Sequence, residues 1–168
     1  LVMVDHIYLF HPGYEEIKRR LPALGPVRRI LSVGGSRGPF RVGTSALWDY
    51  GPHDVSVSLD LLGGNSVSIL AERERSELIP EGRGEILRLK LSFGEGARAE
   101  ARIGNLLESR RRRFEFHFDG RALVLDDVAK ELTLHPLGPG GQLGPGEPLP
   151  VSPELPLDRG LKAFVAAV

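Results

Sequence analysis

A carboxylate and an imidazole stand four residues apart in this sequence, at Asp49 and His53, where an apolar stretch begins. In a helix, positions i and i+4 lie one above the other, so Asp49 can hydrogen-bond to one ring nitrogen of His53 and leave the other facing a substrate. Histidine titrates near pH ~6.5, and a neighbouring carboxylate raises that pKa. The pair is therefore a candidate general base, with Asp49 as the residue that orients it.

Three further side chains are candidates for contact with a substrate. Arg41 precedes the pair, and its guanidinium suits bidentate recognition of a phosphate or carboxylate. His6 lies in the first predicted strand, near the expected cleft, and a place in the core is its alternative. Tyr50 can hydrogen-bond to hydroxyl groups of a ligand, and packing is its alternative.

Two other features favour structural interpretations. The four arginines at positions 110–113 suggest a phosphate site, but strand alternation divides them between two faces and favours a solvated strand start. His117 then falls on the polar face, where we expect it to be exposed. A metal hydrolase based on His53 and Asp54 would need more histidines, and the remaining four have no ligand spacing, so no metal site is predicted.

Composition excludes several classes of protein. The 22 basic and 22 acidic residues give a formal charge of zero, so no overall field attracts nucleic acid or an acidic membrane. The absence of cysteine excludes disulfides, thiol nucleophiles and thiolate zinc sites. No apolar run approaches 18 residues and no signal peptide is recognisable, which predicts a soluble, cytoplasmic protein.

The periodicity predicts a few helices and many strands. An opening strand over 2–10, a helix over 13–21 and a strand over 27–33 lead through a loop at 34–39 to a helix over 45–62. The predicted later strands cover 67–75, 86–93, 97–103, 111–118, 122–125 and 131–134, followed by a Gly- and Pro-rich loop over 136–156. This succession is typical of an α+β domain with a large, open, mainly antiparallel sheet and its helices on one face.

Periodicity also predicts which side chains are buried. The helix over 45–62 has an apolar stripe of Trp48, Val55, Leu59 and Leu62. Alternation over 87–93 and 97–103 places leucines and alanines on one face and charged residues on the other. Short connections between strands, such as 94–96, imply antiparallel neighbours.

The segment around the pair resembles a known family. Residues 47–64, with the form Trp-Asp-x-x-Pro-His-Asp, resemble the catalytic helix of Gfo/Idh/MocA oxidoreductases, in particular of the nucleotide-sugar 3-dehydrogenase branch. Residues 4–14, 24–28 and 112–127 are similar to other parts of the same C-terminal domain, so the resemblance covers nearly the whole chain. It implies the α+β architecture above and the role of His53 as general acid/base.

The resemblance also implies parts that this sequence lacks. Family members begin with a Rossmann domain that holds NAD or NADP, and no strand here leads into G-x-G-x-x-G and a helix. None of the four lysines stands in the family's Glu-Lys-Pro context. We therefore expect residues 1–168 to be one C-terminal domain without its N-terminal Rossmann domain, with no bound cofactor and no activity alone.

Two functions remain open. The first is hydride transfer between NAD(P) and a sugar or nucleotide-sugar hydroxyl carbon, in the parent enzyme. The second is a structural module without a catalytic role of its own, because an open sheet face can be buried by self-association into a dimer or tetramer.

Overall fold

The protein is described by a computed structural model that covers residues 2–63 and 68–167. In these two ranges, three α-helices and eight strands follow a 3₁₀ turn at Ile7–Phe10. The helices are α1 (Pro12–Leu24), α2 (Ala46–Leu62) and α3 (Pro156–Ala166). The strands are β1 (Arg29–Arg37), β2 (Ser68–Ile79), β3 (Gly82–Ser92), β4 (Arg98–Gly104), β5 (Leu106–His117), β6 (Arg121–Asp126), β7 (Glu131–Pro136) and β8 (Glu147–Leu149).

The strands form one open sheet in the order β2-β3-β4-β1-β5-β6-β7-β8. Only β1 and β4 are parallel, and the other neighbours are antiparallel, as the short connections predicted. Alternation sends apolar side chains to the helix-covered face, where Leu89, Ala101, Phe114 and Leu123 are buried. The α+β prediction with an open, mainly antiparallel sheet is confirmed.

Helix α2 begins and ends where the sequence predicts. Ser45 caps it by accepting from the Leu47 backbone N–H at 3.2 Å, and Gly63 ends it in the left-handed conformation that glycine tolerates best. Pro52 lies inside the helix, and the buried Gly51 faces Ile103 on β4. The alanines of β4 at 99 and 101 are buried in the same core, so this helix and its sheet approach closely.

The opposite face of the sheet is polar and carries cross-strand ion pairs. Glu74 on β2 accepts from Arg102 on β4 at 2.8 Å and from Arg88 on β3 at 3.3 Å. Lys90 pairs with Glu72 at 3.1 Å. This face can therefore remain in water without an apolar covering layer.

Four sequence predictions are wrong. Residues 2–10 are not a strand: Val2 and Val4 are exposed, residues 7–10 form the 3₁₀ turn, and none of the described strands pairs with this segment. Residues 34–37 belong to β1 rather than to a loop, since they pair with β4 and β5. The segment 136–156 is not all loop, because β8 pairs with β7. Trp48 is exposed instead of belonging to the buried stripe of α2. Val67, the first residue of the strand predicted over 67–75, lies outside the described residues.

Candidate functional site

The N-terminal half of α2 presents His53 beside the 3₁₀ turn at the helix-covered face of the sheet. The ring of His53 meets the Tyr8 ring edge-on, with centroids 5.3 Å apart. The Nδ1 atom is buried and has no hydrogen-bond partner among the described residues. A buried polar ring atom without a partner is unusual, because leaving it unpaired costs free energy.

The pKa of His53 is lowered, which corrects the expected rise. Burial is the largest cause, since it penalises the charged imidazolium, and the positive charge of Arg112 lowers the pKa further. The carboxylate of Asp54 opposes both effects without outweighing them. The imidazole is therefore neutral at neutral pH, which is the state that accepts a proton.

Asp49 does not hydrogen-bond to His53. Both of its carboxylate oxygens accept from Arg41 Nε at 3.1 Å, in an ion pair at the surface. Arg41 also bridges to Arg83 through its backbone, which fixes it beside the first turn of α2. The expected orienting contact is replaced by this ion pair because the flexible guanidinium reaches Asp49 more easily than a half-buried imidazole does.

His6 and Tyr50, the two other predicted ligand contacts, have different surroundings. His6 lies near His53, and it lines an apolar groove of about 420 Å³ between α2 and strands β2 and β3. The Tyr50 hydroxyl donates to the Gly38 carbonyl at 3.1 Å and lies 3.1 Å from Ser36 Oγ. Tyr50 thus ties α2 to the end of β1, and we leave it out of the proposed substrate site.

A buried ion pair that the sequence interpretation missed lies directly under His53. Arg112 Nη1 donates to Asp54 Oδ2 at 2.9 Å, and Ser32 Oγ donates to Asp54 Oδ1 at 2.5 Å. The side chains of Arg112 and Asp54 are only 6% and 2% exposed. Arg112 was expected in a solvated strand start, but it has the same parity as Phe114 and Phe116 and so points into the core. That parity was the signal in the sequence.

A second polar cluster anchors Tyr8. Its hydroxyl donates to Asp127 Oδ2 at 2.8 Å, and His11 Nε2 lies 3.2 Å from Asp127 Oδ1. The Gly13 backbone N–H donates to His11 Nδ1, so Nε2 carries the proton given to Asp127. The hydrogen bond from His11 holds the pKa of Asp127 below its usual range, and burial raises the pKa of Tyr8, which stays a phenol.

His117 also differs from its prediction. It is buried instead of exposed, and its Nε2 atom lies 3.2 Å from Glu115 Oε2 on the open face. In residues 2–63 and 68–167, no group of three His, Asp or Glu side chains is arranged to hold a metal ion. No helix in the same ranges is long and apolar enough to cross a membrane.

This fold matches the folds of several solved oxidoreductases. A protein from Magnetospirillum magnetotacticum MS-1, provisionally described as an oxidoreductase, is 36% identical to this chain, with a TM-score of 0.90 over 99% of this chain and 55% of that one. UDP-N-acetylglucosamine 3-dehydrogenase from Acidithiobacillus ferrooxidans is 16% identical, with a TM-score of 0.80 over 99% and 52%. A 3-ketoreductase from Actinomadura kijaniata, solved with NADP, is 17% identical, with a TM-score of 0.73 over 99% and 52%.

The chain thus has the fold of the C-terminal domain of a Gfo/Idh/MocA-type oxidoreductase, and the predicted resemblance is confirmed. It spans about half the length of the solved structures that it matches. No family model matches the sequence, and neither does any curated protein.

Proposed function

We propose that this chain is the substrate-binding and catalytic domain of an NAD(P)-dependent oxidoreductase that acts on a hydroxyl carbon of a sugar or nucleotide-sugar. His53 is its general acid/base. One observation carries the proposal: a neutral imidazole with a buried, unpartnered Nδ1 atom stands on α2 in an oxidoreductase fold. Perturbed titratable groups of this kind concentrate at functional sites.

In the oxidation direction, the proton of the substrate hydroxyl passes to the His53 imidazole, and a carbonyl forms as the carbon–hydrogen bond breaks. A nicotinamide held by another domain would accept the hydride with its electron pair. In the reverse direction His53 returns the proton to the new alkoxide. The lowered pKa suits this exchange, because the ring is not already protonated by solvent at neutral pH.

The residues of this chain fit the proton transfer, but the N-termini of α1 and α2 are not free to hold the cofactor phosphates. A helix N-terminus is the usual cradle for a pyrophosphate. The N-terminus of α2 is already taken by the buried carboxylate of Glu85, which accepts from Ser45 Oγ at 2.6 Å and from the Ala46 N–H at 3.1 Å. That of α1 is capped by His11. We therefore propose that an N-terminal Rossmann domain holds NAD or NADP, and that residues 1–168 alone neither bind it tightly nor turn over substrate.

The surface beside His53 is the proposed substrate site. The ion pair of Arg41 and Asp49 lies one helical turn before His53 and offers charged groups of both signs to a polar substrate. His6 approaches His53 from the N-terminal segment. We propose that Arg41 and His6 contact the substrate and that Asp49 orients the His53 imidazole once Arg41 has released it.

A second property is proposed for the open face of the sheet. Its cross-strand charges have both signs, and such a face can meet its own copy around a two-fold axis. We propose a homodimer or tetramer formed through it. Sedimentation measures this assembly, and a monomer at all concentrations would contradict it without affecting the catalytic proposal.

The catalytic proposal is tested with the complete polypeptide that contains this sequence. It is incubated with NAD⁺ or NADP⁺ and a panel of UDP- and TDP-sugars, and reduced nicotinamide is followed spectroscopically. Saturable turnover of at least one nucleotide-sugar is expected. Turnover of none of the panel or of their 3-keto forms would contradict the substrate class. Calorimetry of residues 1–168 with NADH and NADPH provides the second arm, where tight binding would contradict the need for another domain.

A further inference from the structure

Arg112 is the most buried guanidinium among the described residues, and its surroundings are not those of a surface ion pair. Its Cζ atom lies 4.4 Å from the centroid of the Tyr8 ring and 4.5 Å from that of Phe114. One nitrogen donates to Asp54, whereas Nε and Nη2 have no partner among the described residues. Burying a charge is costly even when it is paired, so stability alone does not account for an arginine here.

Both contacts of this guanidinium lead to His53. Asp54 is the next residue of α2, and its carboxylate is held between Arg112 and Ser32. The Tyr8 ring, which Arg112 covers on one side, meets the His53 ring edge-on. Arg112 on β5 thus contacts both groups that flank the imidazole, the Asp54 carboxylate and the Tyr8 ring.

The neighbouring strand leaves space for this arrangement at Gly34. Gly34 on β1 stands opposite Arg112 in the antiparallel register. A Cβ atom at Gly34 would lie 2.1 Å from Arg112 Nη1 and 3.3 Å from its Cζ. Any larger residue would force the guanidinium out of its place, so Gly34 and Arg112 belong to the same feature.

We propose that Arg112 is a positioning residue for His53, which it orients through Asp54 and the Tyr8 ring while keeping a fixed cation beside the imidazole. The cation makes protonation of the ring less favourable, so the imidazole stays in its neutral, proton-accepting form. This inference rests on the proposed function, because positioning of His53 matters for catalysis only if His53 transfers a proton. The test does not depend on that function, because it measures the titration of His53 without substrate or cofactor.

The other groups that face His53 define the expected sign. Burial and the charges of Arg112 and His6 lower its pKa, whereas Asp54 and Asp5 raise it. Burial is the largest cause of the lowered pKa, and the charge of Arg112 is the second. Without Arg112, the carboxylates of Asp54 and Asp5 become the main charges that act on the ring. The pKa of His53 must then rise.

The experiment is an NMR titration of the His53 imidazole in residues 1–168, with the resonance assigned by its loss in His53→Gln. Arg112→Met is expected to raise the titration midpoint, whereas Arg112→Lys keeps a cation and is expected to remain nearer to the wild type. Arg113→Met is the matched control, because Arg113 lies on the open face and pairs with Glu115. It is expected to leave the midpoint unchanged.

Gly34→Ala provides a second route if Arg112→Met does not fold, since it displaces the guanidinium without removing its charge from the chain. It is expected to move the midpoint and the ring chemical shifts, whereas Gly94→Ala, which meets no atom within 4 Å, should move neither. A His53 midpoint that is unchanged in a folded Arg112→Met or Gly34→Ala protein would overturn the inference. If the midpoint moves but His53→Asn retains full turnover, positioning stands and the catalytic proposal fails.

Discussion

The buried pair of Arg112 and Asp54 makes a quantitative prediction about stability. Asp54→Asn leaves the guanidinium of Arg112 buried without a counter-charge. Arg112→Met leaves the carboxylate of Asp54 buried without one. With side chains only 6% and 2% exposed, solvent provides little compensation. Each single substitution should therefore lower the free energy of unfolding by about 3 to 5 kcal/mol, the usual cost of breaking a buried pair from one side.

The double variant separates pairing from packing. Asp54→Asn combined with Arg112→Met removes both charges at once, so it should cost at least about 2 kcal/mol less than the sum of the single changes. Urea unfolding followed by circular dichroism measures all four proteins. The matched cycle is Arg113→Met with Glu115→Gln on the open face, where the coupling should be below about 1 kcal/mol. Single costs near zero, or strict additivity in the buried cycle, would refute this reasoning.

Two further predictions concern α2. Glu85→Gln removes the buried negative charge from the N-terminus of the helix and should lower the free energy of unfolding by about 1 to 2 kcal/mol. Glu72→Gln on the surface is the control and should lower it little. Equal losses in the two variants would contradict the capping role of Glu85. His53→Asn should change the pH dependence of stability. Because the folded pKa lies below that of the unfolded chain, His53 stabilises the fold above about pH 6.5, and this contribution is lost as the pH falls through the folded pKa. Denaturant unfolding at pH 7.5 and 5.5 should show the difference between wild type and variant shrinking on acidification, and a constant difference would contradict the lowered pKa.

The sequence predicted the parts of the fold that local signals determine. The capping Ser45 and the terminal Gly63 place α2 within one residue of its observed bounds. Alternation in β3 and β4 correctly assigned their buried and exposed faces, because period-2 patterns record which side meets a core. The opening segment failed because an apolar, β-branched run becomes a strand only where another strand is available to pair with it.

The site was harder to predict because it depends on contacts between distant residues. Asp49 has the right spacing for His53, but Arg41 competes for it across a loop. The buried Arg112 pairs with Asp54 across 58 residues, and only Gly34 on a third element leaves it room. Parity with the phenylalanines of β5 could have placed Arg112 on the core face, but no local pattern identifies its partner. The spacing of Asp49 and His53 identified His53 as a candidate base, but it could not predict that its pKa is lowered.

The central claim is that His53 exchanges the proton of the reacting hydroxyl. Its most direct test is kcat of the complete enzyme carrying His53→Asn, with His135→Asn as the control. His135 lies on β7, outside the proposed site, where Thr133 and the Gly144 carbonyl hold its ring. We predict that kcat falls by about 10²- to 10⁴-fold for His53→Asn with little change in KM, and remains near wild type for His135→Asn. Wild-type kcat in a folded His53→Asn enzyme would contradict the account.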